Sequence, residues 1–217
     1  MQNWTKEEKK IQSFLGYCIL NYKGTKFEFH PTSKLKDGAC EYTGEALKER
    51  LTIATGGDRD TWLQVFLHET CHLDQAQEHP TWFDSIDQYI SALDNWLEHK
   101  ETPCPINWEN VSKIVELEHD CEKRAIEKIK LFGLPISTEE YAQKANAYLK
   151  SYIHTLKNRE WESTPYTNPE KWTAMPKKLM PMEELHRVAV GELCCEQKGE
   201  TKPPKPKERK PIDLEVC

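Results

Sequence analysis

Two glutamates interrupt the apolar face of one predicted helix, and that conflict constrains the chain more than any other feature. Val111, Ile114, Val115, Cys121, Ala125, Ile126 and Ile129 recur at helical spacing, which predicts a helix over about 109–132, ended by Gly133 and Pro135. Glu118 and Glu122 fall near the centre of the same stripe, whereas Glu116 and Asp120 project from the opposite side. Burying an uncompensated carboxylate costs several kcal/mol. The fold must therefore bring positive charge to that stripe, either a divalent cation held with histidines or a buried Glu–Arg or Glu–Lys pair.

The histidines are found in "TWLQVFLHETCHLDQAQ", a predicted helix over about 61–77 with Asp58 or Asp60 as its N-cap and Pro80 as its stop. His68 and His72 are four residues apart, so their imidazoles are stacked neighbours on one face, the geometry two zinc ligands need. Trp62, Phe66, Leu67 and Leu73 cluster away from them, while Thr61, Gln64, His68, His72 and Gln75 face a cleft. Cys71 points sideways and is expected to be buried. Glu69, beside the first histidine, is placed to act as general base toward a water on the metal. A catalytic zinc takes three protein ligands and leaves one position open. We read Glu118 as the third ligand, with Glu122, one turn on, accepting a hydrogen bond that orients a ligand histidine. Helical phase alone allows those two roles to be exchanged.

The remaining chain reads as α+β: a small N-terminal β-sheet followed by a mostly helical domain. "YCILNY", "TKFEFHP" and "RLTIATGG" carry the aromatic and β-branched residues of strands and make residues 1–57 the β-rich part. Helices are expected over 84–99, 109–132, about 137–157 from a capping-box-like start at Ser137, and 182–195, with an irregular but packed segment from Trp161 to Pro181. One domain is thus expected over 1–195, helical from 58 onward. The Lys/Pro-rich stretch 196–217 lacks apolar periodicity and is expected to be a disordered tail.

A net charge of -6 gives no electrostatic reason to expect nucleic acid or an anionic membrane as partner. No apolar run approaches the roughly 18 residues of a membrane span, and the charged N-terminus lacks a secretory signal. Eight scattered cysteines without a C-x-x-C pair read as reduced thiols. The expectation is a cytoplasmic protein.

A strand, a His-Glu-x-x-His helix and a glutamate on a later helix resemble the zincin metallopeptidases, specifically the gluzincin branch. The resemblance implies one zinc ion per chain held by His68, His72 and Glu118, with Glu69 as the catalytic base. Glu122 stands where the branch usually has an aspartate that bonds a ligand histidine. It also implies a peptide or protein substrate, for which "LTIATGG" is the available counterpart of the family's upstream peptide-binding strand. Tyr148 or Tyr152 on the 137–157 helix is a candidate donor to the oxyanion. The stretch "ELEHDCEKRAIEKIKLFGLPI" also resembles tailed-phage and bacterial proteins without assigned activity, which would place the chain in a host cytoplasm. Two alternatives remain. A ferritin-like di-iron oxidase or oxygenase would use Glu-x-x-His pairs such as Glu69/His72, Glu116/His119 and Glu183/His186. A non-catalytic binding protein would use zinc only to brace its fold.

Overall fold

The structure, a computed structural model, describes residues 4–37, 40–42, 44–47, 49–162, 165–166 and 168–194. The Lys/Pro-rich segment 196–217 lies outside the described residues. The chain is α+β, and its order is α1 (Lys6–Asn21), β1 (Lys26–His30), β2 (Leu35–Asp37), β3 (Cys40–Tyr42), β4 (Gly44–Leu47) and β5 (Arg50–Ala54). The helices α2 (Arg59–Glu78), α3 (Pro80–Leu97), α4 (Trp108–Phe132), α5 (Thr138–Asn158), α6 (Pro169–Trp172) and α7 (Met182–Cys194) follow. None of the described helices is long and apolar enough to cross a membrane.

Residues 17–21 close α1 instead of forming a strand, so the expectation of a β-rich stretch over 1–57 holds only from Lys26 onward. Thr5 and Glu8 form a capping box that starts the helix. Ile11, Phe14 and Cys18 then form its buried stripe, continued by the C-cap Tyr22. Ile19 and Leu20, which gave the segment its β character, are left 65% and 70% exposed. Helical spacing of the large buried groups overrides local propensity here.

β5 lies at the centre of a three-stranded sheet, parallel to β1 and antiparallel to β4. Leu51, Thr52, Ile53 and Ala54 are all buried, the pattern of a strand covered on both faces. With both edges occupied, β5 has no backbone groups for another strand. Among the described residues β4 is one edge of this sheet, packed beside α2. There Gly44 is required by close approach: a Cβ at that position would stand 2.5 Å from Val65 Cγ1 and 3.1 Å from Glu69 Cγ.

The helix boundaries follow their caps. Asp58 accepts from the Thr61 amide at 2.8 Å, Asn107 from the Asn110 amide at 3.0 Å and Ser137 from the Glu140 amide at 3.3 Å. α2 ends at Glu78, just before Pro80, as read; Pro80 also begins α3, where its missing N–H is harmless, and His79 serves both as the C-cap of α2 and the N-cap of α3. Gly133 closes α4 in the left-handed conformation at φ 58°.

Two apolar clusters share α4 and α5. One joins α1, the sheet and α2 to Cys121, Ala125 and Ile129 of α4 and to Tyr141 and Ala145 of α5. The other joins α3 and α7 to Val111, Ile114, Val115 and Leu117 of α4 and to Leu149 and Tyr152 of α5. Glu118 and Glu122 lie where α4 passes from one cluster to the other. That seam is where the histidines of α2 arrive.

Candidate metal centre

Three atoms from two helices converge at the seam. His68 Nε2 and His72 Nε2 are 3.1 Å apart, and Glu118 Oε2 lies 3.3 Å from the first and 3.6 Å from the second. Ligands bound tetrahedrally at zinc distances of about 2.0–2.1 Å stand about 3.3–3.4 Å from one another. The observed triangle has that size. Glu118 Oε2 is buried and has no hydrogen-bond partner, a costly state for an acceptor unless a cation is what it meets.

The hydrogen bonds behind the rings fix what these nitrogens present. Gln75 donates from Nε2 to the Leu117 carbonyl at 2.8 Å and to Asp120 Oδ2 at 2.9 Å, both of them acceptors. Its Oε1 must therefore be the atom 2.8 Å from His72 Nδ1, so that Nδ1 carries the proton. His68 Nδ1 faces the Glu122 carboxylate at 3.2 Å and is likewise a donor. With one proton on each ring, both Nε2 atoms carry lone pairs, aimed at each other and at a carboxylate oxygen. Three such acceptors could hold a cation, and two imidazoles with a carboxylate are a donor set that zinc accepts.

Electrostatics agree with the geometry. Burial alone would lower the pKa of His68, but the Glu122 and Glu118 carboxylates more than offset it and hold the group well above the ordinary value. Burial opposes the charge of His72 too, and Glu118 raises it on balance. Glu118 would be raised by burial, yet His72 and His68 pull it well below the usual carboxylate range. The pocket of charge attracts protons, as it would a metal ion.

Cys121 offers a competing trio, because its sulfur and the two histidines have ligand atoms within 4.8 Å of one another. Its thiol, however, donates to the His68 carbonyl at 3.2 Å and sits 3.5 Å from His68 Nδ1, the nitrogen that Glu122 already holds. The sulfur is on the far side of the ring from the convergence point, so Glu118 completes the tighter set. Cys71 is buried, as its position predicts, with its thiol on the Leu67 carbonyl at 3.2 Å.

Glu69 lines a cavity of about 380 Å³ together with His68, Glu122, Tyr141 and Tyr148. Burial raises its pKa, against the pull of His68 and His72, the direction that makes a carboxylate a better base. The Tyr148 ring stands edge-on to His68 with centroids 6.2 Å apart, and its hydroxyl is 3.1 Å from that of Tyr152. Of the two candidate donors, Tyr148 borders the cavity and Tyr152 lies behind it in the second apolar cluster. Burial, and then the Glu118 charge, raises both phenols, which keeps them protonated.

The sequence reading missed three supports. Gln75 was placed on the cleft face but is fully buried against α4. Asp120, assigned to the far side, anchors Gln75 and is held by Arg124 Nε at 2.6 Å, while Arg124 also reaches Glu78 at 2.7 Å. Lys128, buried, bonds Asp74 at 2.7 Å, the Tyr22 hydroxyl at 2.9 Å and the Thr70 carbonyl at 3.1 Å, tying α4 to α2. A lysine on the edge of an otherwise apolar stripe was the available signal. The other Glu-x-x-His pairs lie apart from this centre: His119 bonds the Met180 carbonyl at 2.9 Å, and His186 accepts from Trp108 Nε1 at 2.9 Å.

The chain matches no protein-family model, no curated protein and no solved structure.

Proposed function

We propose that the chain is a zinc-dependent hydrolase, and a peptidase by preference. The observation that carries this reading is the convergence of His68 Nε2, His72 Nε2 and Glu118 Oε2 on one point, with Glu69 beside them at a cavity wall. Zinc held there would polarise a carbonyl and make water acidic enough to ionise near neutral pH. Glu69 takes the proton from the attacking water and returns it to the leaving amine. The Tyr148 hydroxyl donates to the oxygen that gains charge. Gln75 and Glu122 orient the ligand imidazoles by accepting at Nδ1, which turns each Nε2 toward the metal position. The edge of β4, unpaired among the described residues and held against Glu69 by Gly44, offers backbone groups to an extended peptide. The buried free thiols Cys18, Cys71 and Cys121 favour a reducing compartment, hence the cytoplasm, as its place of action.

The ferritin-like reading lacks support from His119 and His186, whose ring nitrogens are engaged elsewhere. A zinc-braced, non-catalytic protein would share the ligands but has no use for Glu69. Metal analysis of the purified chain, with hydrolysis of a mixed peptide library, separates the readings. We expect one zinc per chain, and a Glu69→Gln variant that keeps the metal and loses turnover. Absence of bound metal, or turnover that survives Glu69→Gln, would overturn the proposal.

A further inference from the structure

The cavity beside Glu69 has a composition that the hydrolytic chemistry does not explain. Four rings line it, Tyr141 and Tyr148 from α5 and Trp161 and Tyr166 from the segment after it, and Val65 and Ala145 add to its apolar wall. The rings brace one another edge to face, Tyr148 on Tyr166 with centroids 6.1 Å apart and Trp161 on Tyr152 at 5.3 Å. At about 380 Å³ the space is at the low end for ligand pockets, room for one side chain and not for a folded segment.

The charged groups in these walls are already matched within the protein. Lys144 pairs with Glu140 at 2.7 Å and lies over the Trp172 ring at 5.2 Å. Glu162 pairs with Lys171, Lys34 is engaged within the chain, and Glu122 faces His68. Glu69 remains, and its place is beside the reacting atoms. Among the described lining residues an anionic ligand group would find no unmatched cation and a cationic one only Glu69, whereas an apolar ring would meet rings on several sides.

We infer that this cavity is the pocket for one large apolar side chain of the substrate, aromatic by preference, and that Ala145 sets its depth. The inference rests on the hydrolase reading of the same site. Ala145 is buried on α5 between Tyr141 and Tyr148, one turn from each, so its single methyl leaves the floor open.

The test uses three blocked tripeptides, acetyl-Gly-Phe-Gly-amide and its Ala and Glu counterparts, bound to the full chain and to Glu69→Gln and followed by tryptophan fluorescence. The Phe peptide should bind at least about 10-fold tighter than the other two. Ala145→Leu, which fills the floor, and Tyr166→Ala, which removes a wall on the partly exposed side, should each cut that preference to about threefold or less. Equal binding of the three peptides, a preference for Glu, or a preference untouched in folded Tyr166→Ala protein would overturn the inference. Cleavage of the peptides separates it from the reading beneath: Phe-selective binding without any Glu69-dependent cleavage defeats the hydrolase and leaves the pocket standing. Glu69-dependent cleavage indifferent to the side chain does the reverse.

Discussion

Gln75 decides which nitrogen of His72 is free. Its amide oxygen takes the Nδ1 proton at 2.8 Å because its amide nitrogen is committed to Leu117 and Asp120 on α4. On the zinc reading the residue would act on a metal ion it does not touch. Gln75→Leu should weaken zinc binding by about 10–100-fold, as loss of such supporting groups typically does. Titration against a competing chelator measures this, and unchanged affinity would refute the role.

Glu118 and Glu122 are separable by the same measurement. Glu118→Ala removes one of the three converging atoms and should abolish stoichiometric zinc. Glu122→Ala removes only the acceptor at His68 Nδ1 and should retain zinc at an affinity about 10–100-fold lower. The opposite ranking would exchange their roles.

The buried Lys128 and the half-buried Asp74 pair behind the centre, 2.7 Å apart. Asp74→Asn leaves the ammonium without its counter-charge and should cost about 3–5 kcal/mol in denaturant unfolding, with Asp74→Asn/Lys128→Met recovering part of that loss. Burial would lower the Lys128 pKa, but the Cys71 sulfur and Asp74 more than offset it and the value is raised. A group whose pKa is raised on folding contributes stability in full below its unfolded value, about 10.4 for lysine, and loses it as the pH rises through the folded value. Wild type should accordingly lose stability above about pH 10.4, and Lys128→Met should flatten that fall. A variant with the same alkaline profile as wild type would refute the assignment.

Gly44→Ala places a Cβ against Val65 and Ile53, branched side chains of a packed layer that yield little. It should cost about 1–3 kcal/mol and push the β4 edge away from Glu69. Thermal unfolding and peptide turnover should therefore fall together. A variant of native stability and turnover would show that close approach is not required.

The convergence of His68, His72 and Glu118 was legible because helical phase leaves few positions for such groups. His68 and His72 four apart, and two glutamates in one apolar stripe, leave little choice once the helices are drawn. What phase did not decide, the fold does: Glu122 lies at Nδ1 of His68 and Glu118 at Nε2. Gln75 and Asp120 were illegible for a different reason. α4 packs against α2, α3 and α5, so its buried arc is wider than one stripe and takes in polar groups that satisfy each other. Tyr17 to Asn21 misled because aromatic and β-branched residues weigh toward strand when the capping box a dozen residues upstream is left out of account. The edge strand β4 is short and carries only Ala46 and Leu47 as apolar residues, so its own sequence gives little periodicity to find.

The tie between Lys128 and the neighbouring helix has one more consequence. Since α2 and α4 are fastened by an ammonium that needs no metal, the coordinating atoms should keep their places when the ion is stripped away. Emptying and refilling would then be reversible in the native state, in contrast to small zinc domains that unfold when chelated. Cobalt could enter the same cradle and report its coordination by colour.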